Sequence, residues 1–164
     1  MDATSPTNNE QPTKGGPNPG LHRPPIIFLC AILLGIALNR LWPLHFVPRN
    51  VGLIGPLVTL CAVLLFLFSH REFRAAGTSV RGSERTTTIV RTGPYRFSRN
   101  PIYLAFILFV LELSVWLNNL WQLVTLVPAI GIIAMVVITR EERFLERNFR
   151  DQYSSYKTRV RRWL

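Results

Sequence analysis

The chain has 164 residues, 48% of them apolar, and a mean hydropathy of +0.21. This length fits one domain, and this composition excludes an ordinary soluble protein and favours a membrane protein. The formal net charge is +10, and most of the positive charge is arginine. Because the arginines lie between and after apolar segments rather than on one basic face, they indicate membrane orientation and not nucleic-acid binding.

Neither a disulfide nor a metal site is expected. Cys30 and Cys61 both lie inside apolar segments, without His or Cys at metal-ligand spacing, and predict small core residues. His22, His45 and His70 are isolated from one another near segment ends, where solvated or interfacial roles are commoner than ligation.

The order of segments predicts an all-α membrane domain after a disordered tail. Residues 1–24 are rich in Pro, Gly, Asn and Thr, so they cannot bury enough apolar surface to offset the entropy of ordering. Residues 25–164 form the predicted domain. It contains four apolar segments, each near the roughly 20 residues that cross a bilayer. The predicted spans are residues 25–42, 51–68, 101–117 and 120–138.

The loops predict how these spans are arranged. Only Asn118 and Asn119 separate the third and fourth spans, which must therefore form a tight antiparallel hairpin. Arginines concentrate between the second and third spans and after the fourth, whereas the opposite loops hold only Arg40 and Arg49. Positive charge collects on the cytoplasmic side of membrane proteins, so both termini and the loop that ends at Asn100 are predicted to face the cytoplasm.

Glu112 is an acid deep within the third predicted span. A charge at that depth costs several kcal/mol unless it is paired, neutral or hydrated. Two roles are open: the carboxyl binds substrate, or it is protonated against Ser114 or Gln122.

The chemistry-bearing stretch is residues 91–104, which read RTGPYRFSRNPIYL. Gly93 lies in a predicted turn, and Asn100 before Pro101 predicts a helix that starts at Pro101 and is capped by the Asn100 side chain. The first-turn N–H groups beside Arg99 suit an anionic group such as a carboxylate or phosphate.

Membrane rules alone also explain this stretch. Arg99 would then satisfy the charge rule, Asn100 would only cap, and Tyr103 would belong to an interfacial aromatic belt. Tyr103 lies one turn from Asn100 on nearly the same helix face, as a shared site also requires.

An acidic pair follows the fourth span. Glu141 and Glu142 stand where the hairpin returns the chain to the level of residues 91–104, so two carboxylates can face that stretch. The alternative is a solvated pair at a helix exit, next to an ordinary surface pair between Glu146 and Arg150.

A helical pattern continues over residues 140–163. Apolar and aromatic residues recur at steps of three and four, with basic residues opposite. An interfacial helix on anionic lipid explains this pattern, and a stripe that covers a cofactor is the functional alternative. The stripe consists of Leu145, Phe149, Tyr153, Tyr156, Val160 and Trp163.

These parts together suit S-adenosylmethionine. Its ribose hydroxyls and ammonium group call for carboxylates, its own carboxylate calls for an arginine or a helix N-terminus, and its sulfonium favours aromatic faces.

The same motifs resemble a known family. TGPYRFSRNPIYL, the Glu141-Glu142 pair and FRDQYSSYKTRVRRWL are similar to the isoprenylcysteine carboxyl methyltransferases, in their bacterial type, which are integral membrane enzymes related to phospholipid methyltransferases. The resemblance implies that S-adenosylmethionine binds between the Arg-His-Pro-x-Tyr segment and the acidic pair. The catalytic candidates are Arg99 and Asn100. The predicted cofactor-binding residues are Gly93, Tyr95, Arg99, Asn100, Pro101, Tyr103, Leu104, Glu141, Glu142, Tyr153 and Tyr156.

Three positions depart from the family pattern. Asn100 stands where the eukaryotic enzymes have histidine, although bacterial relatives are similar in tolerating Asn there. Arg150 stands where the family usually has glycine and Arg161 where proline is common, and both departures affect the expected shape of the lid.

The resemblance implies methyl transfer to a lipophilic acceptor that reaches a cytoplasmic site from the bilayer of a bacterial inner membrane. We expect O-methylation of a carboxylate, such as a prenylcysteine-like substrate, because an ionised nucleophile needs alignment and desolvation but no general base. The alternatives are a phospholipid or other small-lipid methyltransferase, a relative of the NADPH-dependent sterol reductases, and a non-catalytic membrane protein. Membrane lipids are the expected partners.

Overall fold

The computed structural model describes residues 24–46, 48, 55–77 and 88–164. All regular structure in these ranges is helical, which confirms the all-α class. The predicted tail, residues 1–24, lies outside them except for Pro24. The helices are α1 (Pro24–Leu41), α2 (Gly55–Ala75), a 3-10 turn (Gly93–Arg96), α3 (Pro101–Trp116), α4 (Leu120–Ile132), a π-helix (Ile133–Ile138) and α5 (Thr139–Arg159).

Three helical segments among the described residues are long and apolar enough to cross a membrane. They are α1, α2 and the continuous helix Leu120–Arg159 that joins α4 to α5. The remaining apolar helix, α3, has 16 residues. At 1.5 Å per residue it covers about 24 Å, less than the ~30 Å of a typical hydrocarbon core. The chain is compatible with a multi-pass membrane protein.

The hairpin between α3 and α4 forms as predicted, and it joins two helix pairs. α2 packs on α3, α1 packs on α4, and α3 lies beside α4. In the connection, Asn118 has φ 46°, a left-handed conformation that Asn tolerates better than most residues. The Asn119 side chain accepts a hydrogen bond from Trp121 N at 3.0 Å and so caps α4.

α1 and α2 bury few of their side chains. α1 buries Phe28, Ala31 and Gly35, and the large side chains around them stay exposed, which is what a lipid-facing helix requires. Cys30 and Cys61 are both exposed. The prediction that the cysteines are core residues is therefore wrong, because these helices turn most of their surface outward.

Glu112 lies against α2 and not against Ser114 or Gln122. It is 5% exposed, and a Cβ on Gly55 would lie 2.9 Å from its Oε1. Ser114 instead donates to Asn119 O at 3.0 Å, and Gln122 donates to Ile32 O at 3.0 Å. The predicted contact with Ser114 is wrong because positions 112 and 114 point about 160° apart around a helix of 3.6 residues per turn, and the predicted contact with Gln122 is wrong because Gln122 faces α1.

α5 departs from one straight helix over residues 140–163. Arg150 has φ 27° and ψ −106°, which kinks α5, and the helix ends at Arg159. The predicted pair between Glu146 and Arg150 does not form. Because the chain turns at the kink, Lys157 Nζ reaches Glu146 Oε1 at 2.7 Å instead. Val160 is extended, and the following residues leave the helix.

Candidate active site

Residues 160–164, which we call the C-terminal segment, pack against the start of α3. The backbone N–H of Arg99 donates to Arg161 O at 3.0 Å. Asn100 Nδ2 donates to Arg162 O at 3.2 Å, and Ser98 Oγ donates to the same oxygen at 3.3 Å. Three bonds therefore join the C-terminal segment to the residues that precede α3.

α3 begins at Pro101 as predicted, but the Asn100 side chain does not cap it. The Asn100 carbonyl accepts from Leu104 N at 3.1 Å, so Asn100 occupies the cap position through its backbone. Its amide group is turned toward Arg162 O, where it satisfies a carbonyl outside the helix. A contact distant in sequence thus replaces the local side-chain cap that the sequence predicts.

Glu142 is held by two arginines. Arg99 Nη1 lies 2.9 Å from Glu142 Oε1, while Arg162 Nη2 lies 2.6 Å from Oε2 and Arg162 Nε lies 3.2 Å from Oε1. The side chains of Arg99 and Glu142 are only 10% and 9% exposed. We call these three residues the ion cluster. It carries one positive charge in excess, and its bonds are of the charge-assisted kind that are shorter and stronger than neutral ones.

The ion cluster leaves one buried donor unused. In the described part of the chain, Arg99 Nε and Gln122 Oε1 are the buried side-chain polar atoms without a hydrogen-bond partner. Arg99 also donates from Nη1 to Tyr153 OH at 3.3 Å. Since buried polar groups are nearly always paired, an unpaired N–H beside a surplus positive charge fits an additional anionic group.

Glu141 lies in a different environment from its neighbour. It belongs to α5, beyond the apolar residues 120–138, and accepts a hydrogen bond from Tyr103 OH at 2.7 Å. Burial raises the pKa of Glu141 to about 7; the Tyr103 bond opposes this rise and the charge of Glu142 adds to it. The adjacent acids therefore differ: Glu142 is ion-paired with two arginines, whereas the pKa of Glu141 is raised to about 7.

Buried tyrosines of α5 form one side of the site. Tyr153 contacts Arg99 as described, and Tyr156 OH donates to Tyr95 O at 2.7 Å. The two α5 rings lie 6.2 Å apart, and Tyr95 packs edge-on against Phe73 of α2 at 5.2 Å. Burial raises the pKa of Tyr153, Tyr156 and Tyr95, so all three hydroxyls stay protonated at neutral pH.

Gly93 has a structural role beside the site. Its φ of 57° is in the left-handed region, and a Cβ there would lie 2.9 Å from the side chain of Glu72. Thr92 Oγ1 donates to that carboxylate. Glycine at position 93 thus lets the 3-10 turn lie directly on the end of α2.

Most of the predicted site residues come together. Direct contacts join Arg99 with Glu142 and Tyr153, and Tyr103 with Glu141, while Tyr95 and Tyr156 form a neighbouring pair. Pro101 and Leu104 lie in the first turn of α3, and Gly93 begins the 3-10 turn.

Sequence reasoning missed Arg162, Ser98 and Glu72. The sequence pattern predicts a helix up to residue 163 and therefore places Arg162 on a helix face, whereas the helix ends at Arg159. The neighbouring residue Trp163 packs against the hydrophobic core. A large aromatic residue at this position is the sequence signal that could have indicated a contact between the C-terminal segment and the core.

The described residues form apolar helices compatible with a multi-pass membrane protein, with a cluster of arginines, glutamates and tyrosines at one end of the helices. The family model for phospholipid methyltransferase matches residues 51–152. The chain belongs to this family and is a membrane methyltransferase of the phospholipid/isoprenylcysteine type, which confirms the resemblance found in the sequence.

An uncharacterized protein of Haemophilus influenzae (strain ATCC 51907 / DSM 11121 / KW20 / Rd) is 40% identical to the chain over 63 residues, which make up 38% of this chain and 100% of that protein. No solved structure matches the chain. The family match ends before Tyr153, so the two α5 tyrosines and Arg162 lie beyond it.

Proposed function

We propose that the chain transfers a methyl group from S-adenosylmethionine to a lipophilic acceptor at the cytoplasmic membrane surface. Methyltransferases of this family generally use that cofactor. The observation that carries the proposal is the buried, unpartnered Arg99 Nε in an ion cluster with surplus positive charge at the start of α3. A helix N-terminus and a free guanidinium donor together suit a carboxylate such as that of the cofactor.

The residues divide the task as follows. Arg99 and the start of α3 bind the anionic end of the cofactor, and Glu141 accepts hydrogen bonds from its polar groups. The ring of Tyr153, which lies beside Arg99, offers a face for a cation, whereas the Arg91 guanidinium already lies 6.0 Å from the centroid of the Tyr156 ring. Glu142 holds Arg99 and does not contact the cofactor itself, because both of its oxygens are already bonded to arginines. When bound, the cofactor supplies an electrophilic methyl group on a sulfonium.

The acceptor that we favour is a carboxylate on a lipophilic molecule, such as a prenylcysteine-like substrate. Its nucleophile is already ionised, so the protein needs only to align and desolvate it. Asn100 in place of histidine is compatible with this reaction, because no proton has to be removed.

The second candidate is N-methylation of a lipid amine. It is favoured by Glu141, whose pKa of about 7 allows it to take up the proton that an ammonium group must lose before it attacks. The hydrogen bond from Tyr103 holds this carboxyl in place.

Transfer of a labelled methyl group tests both candidates. The purified protein is mixed with isotopically labelled S-adenosylmethionine and either a prenylated cysteine or an aminophospholipid. The lipid is then extracted and hydrolysed with alkali, and the volatile and non-volatile label are counted separately. Label that base releases as methanol identifies a methyl ester, and base-stable label identifies an N-methyl group. Incorporation into neither acceptor, with cofactor binding intact, would reject both acceptors.

We further propose that residues 25–164 form one domain with four spans and cytoplasmic termini, and that α5 lies at the cytoplasmic surface. Trp42 and Trp116 are exposed, and Trp121 Nε1 donates to Trp42 O at 2.7 Å. Trp116 is the last residue of α3, just before the turn to α4, so the three tryptophans lie near the same end of the helices. Tryptophans gather at membrane interfaces. The tryptophans lie at the C-terminal end of α3, and the ion cluster lies at its N-terminal end. A membrane interface at the tryptophans therefore supports a crossing of the bilayer by α3.

A further inference from the structure

Arg162 contacts the candidate site in two independent ways. Its guanidinium forms a two-pronged pair with Glu142, with Nη2 at 2.6 Å from Oε2 and Nε at 3.2 Å from Oε1. Its carbonyl oxygen accepts hydrogen bonds from Asn100 and Ser98. The residue therefore ties the first turn of α5 to the residues before α3.

The pair with Arg162 determines the orientation of Glu142. A guanidinium that bonds both carboxylate oxygens fixes the plane of the carboxylate, which a lysine ammonium would not do. Glu142 Oε1 then also accepts Arg99 Nη1 at 2.9 Å. Contacts thus run from Arg162 through Glu142 to Arg99, whose Nε–H remains buried and unpartnered.

We propose that Arg162 is a positioning residue of the cofactor site, which acts through Glu142 to hold the Arg99 guanidinium with its free Nε–H available to the cofactor carboxylate. The inference rests on the proposed function, because it assigns a further residue to the same site. The proposal also means that the C-terminal segment forms one wall of the cofactor site. Arg162 then governs recognition of the amino-acid end of the cofactor and has little effect on the adenosine end.

Two ligands separate these ends. S-adenosylhomocysteine carries the amino-acid carboxylate, whereas 5′-methylthioadenosine keeps the adenosine and thioether but lacks that group. The affinity of each is measured by calorimetric titration of the full chain in detergent, together with the thermal midpoint of the ligand-free protein. The variants are Arg162→Gln, Arg162→Lys and the control Arg161→Gln, which makes the same charge change at an exposed neighbouring side chain.

We expect Arg162→Gln to bind S-adenosylhomocysteine at least about tenfold more weakly, a change of about 1.4 kcal/mol. Its affinity for 5′-methylthioadenosine should stay within about twofold of the wild type, because that ligand gives Arg99 no carboxylate to bind. Arg162→Lys should fall between wild type and Arg162→Gln, since it keeps the charge but not the planar fork. Arg161→Gln should match the wild type with both ligands.

Equal weakening of both ligands by Arg162→Gln, or no weakening of either, would overturn the inference while leaving the proposed function in place. A wild-type protein that binds neither ligand would instead overturn the proposed function, and the inference with it. If Arg162→Gln does not fold, Arg162→Lys decides the question, because the same selective loss is expected in smaller measure.

Discussion

Glu141 and Glu142 are neighbours in sequence, yet their side chains have opposite surroundings. Glu142 forms ion pairs with Arg99 and Arg162, whereas Glu141 accepts a hydrogen bond from the neutral hydroxyl of Tyr103. The sequence predicts one shared role for the pair, and the contacts indicate two. Substitution of each acid by its amide therefore has a separate expected result.

We expect Glu142→Gln to lower the free energy of unfolding by about 3–5 kcal/mol, because it leaves the buried guanidinium of Arg99 without its carboxylate, whereas Arg162 is 36% exposed. Glu146→Gln is the matched control. Its pair with Lys157 is 43–45% exposed, so its loss should cost less than about 1 kcal/mol. Chemical denaturation in detergent measures both values, and equal losses would show that the ion cluster is no more than a surface pair.

The stability of the folded chain should fall as the pH rises through the pKa of Glu141. That pKa is about 7 in the fold against an ordinary 4.5, so the fold favours the protonated carboxyl. The resulting stabilisation is complete below about pH 4.5 and is lost as the pH rises through about 7. The thermal midpoint of the wild type, measured between about pH 5 and pH 8, should therefore fall more than that of Glu141→Gln.

Glu141→Gln is a suitable control because it keeps a side chain of the same shape that cannot ionise, while every histidine is retained. Parallel pH profiles of the wild type and the variant would show that the carboxyl of Glu141 does not titrate in this range. The same variant should keep its fold at neutral pH and bind S-adenosylmethionine more weakly.

At the scale of elements, the kink in α5 depends on an unfavourable residue. Arg150 has φ 27° and ψ −106°, a conformation open mainly to glycine. We expect Arg150→Gly to raise the free energy of unfolding by about 1 kcal/mol, because it removes the steric cost of the side chain.

Arg147→Gly tests whether that gain belongs to the kink. Arg147 lies one turn earlier in the regular part of α5, where glycine should cost about 1 kcal/mol relative to a good helix former. The two glycine variants should therefore shift the thermal midpoint in opposite directions. A loss of stability in both would mean that α5 is straight at residue 150.

At the scale of the whole molecule, the proposed topology places the α3–α4 turn outside the cytoplasm. Leu117 lies in that turn and is 45% exposed, so it suits a labelling site better than the buried Asn119. In a background with serine at positions 30 and 61, Leu117→Cys should react with an impermeant maleimide from the outer side only. Arg147→Cys should react with the same maleimide only after the membrane is permeabilised, so that the reagent reaches the cytoplasmic side. The reverse pattern would contradict the proposed orientation.

Local features of the fold could be predicted from the sequence, and contacts between distant residues could not. The start of α3 follows from proline at position 101, and the α3–α4 hairpin follows from two asparagines between apolar segments. The pairing of Glu142 with Arg162 depends on the kink at Arg150 and on the end of α5 at Arg159, neither of which has a periodic signal. The predicted side-chain cap by Asn100 is wrong for the same reason: its amide group donates to the carbonyl oxygen of Arg162, which is distant in sequence.

Because Trp163 packs on the hydrophobic core, its fluorescence can report whether the C-terminal segment is attached to the rest of the site. Trp42, Trp116 and Trp121 lie at the opposite end of the molecule, while Trp163 directly follows Arg162 and contacts the core. With phenylalanine at the other three positions, the indole of Trp163 alone should emit at short wavelength. Detachment of the C-terminal segment would bring this indole into water and shift its emission to longer wavelength, so one spectrum reports whether the wall of the site is in place.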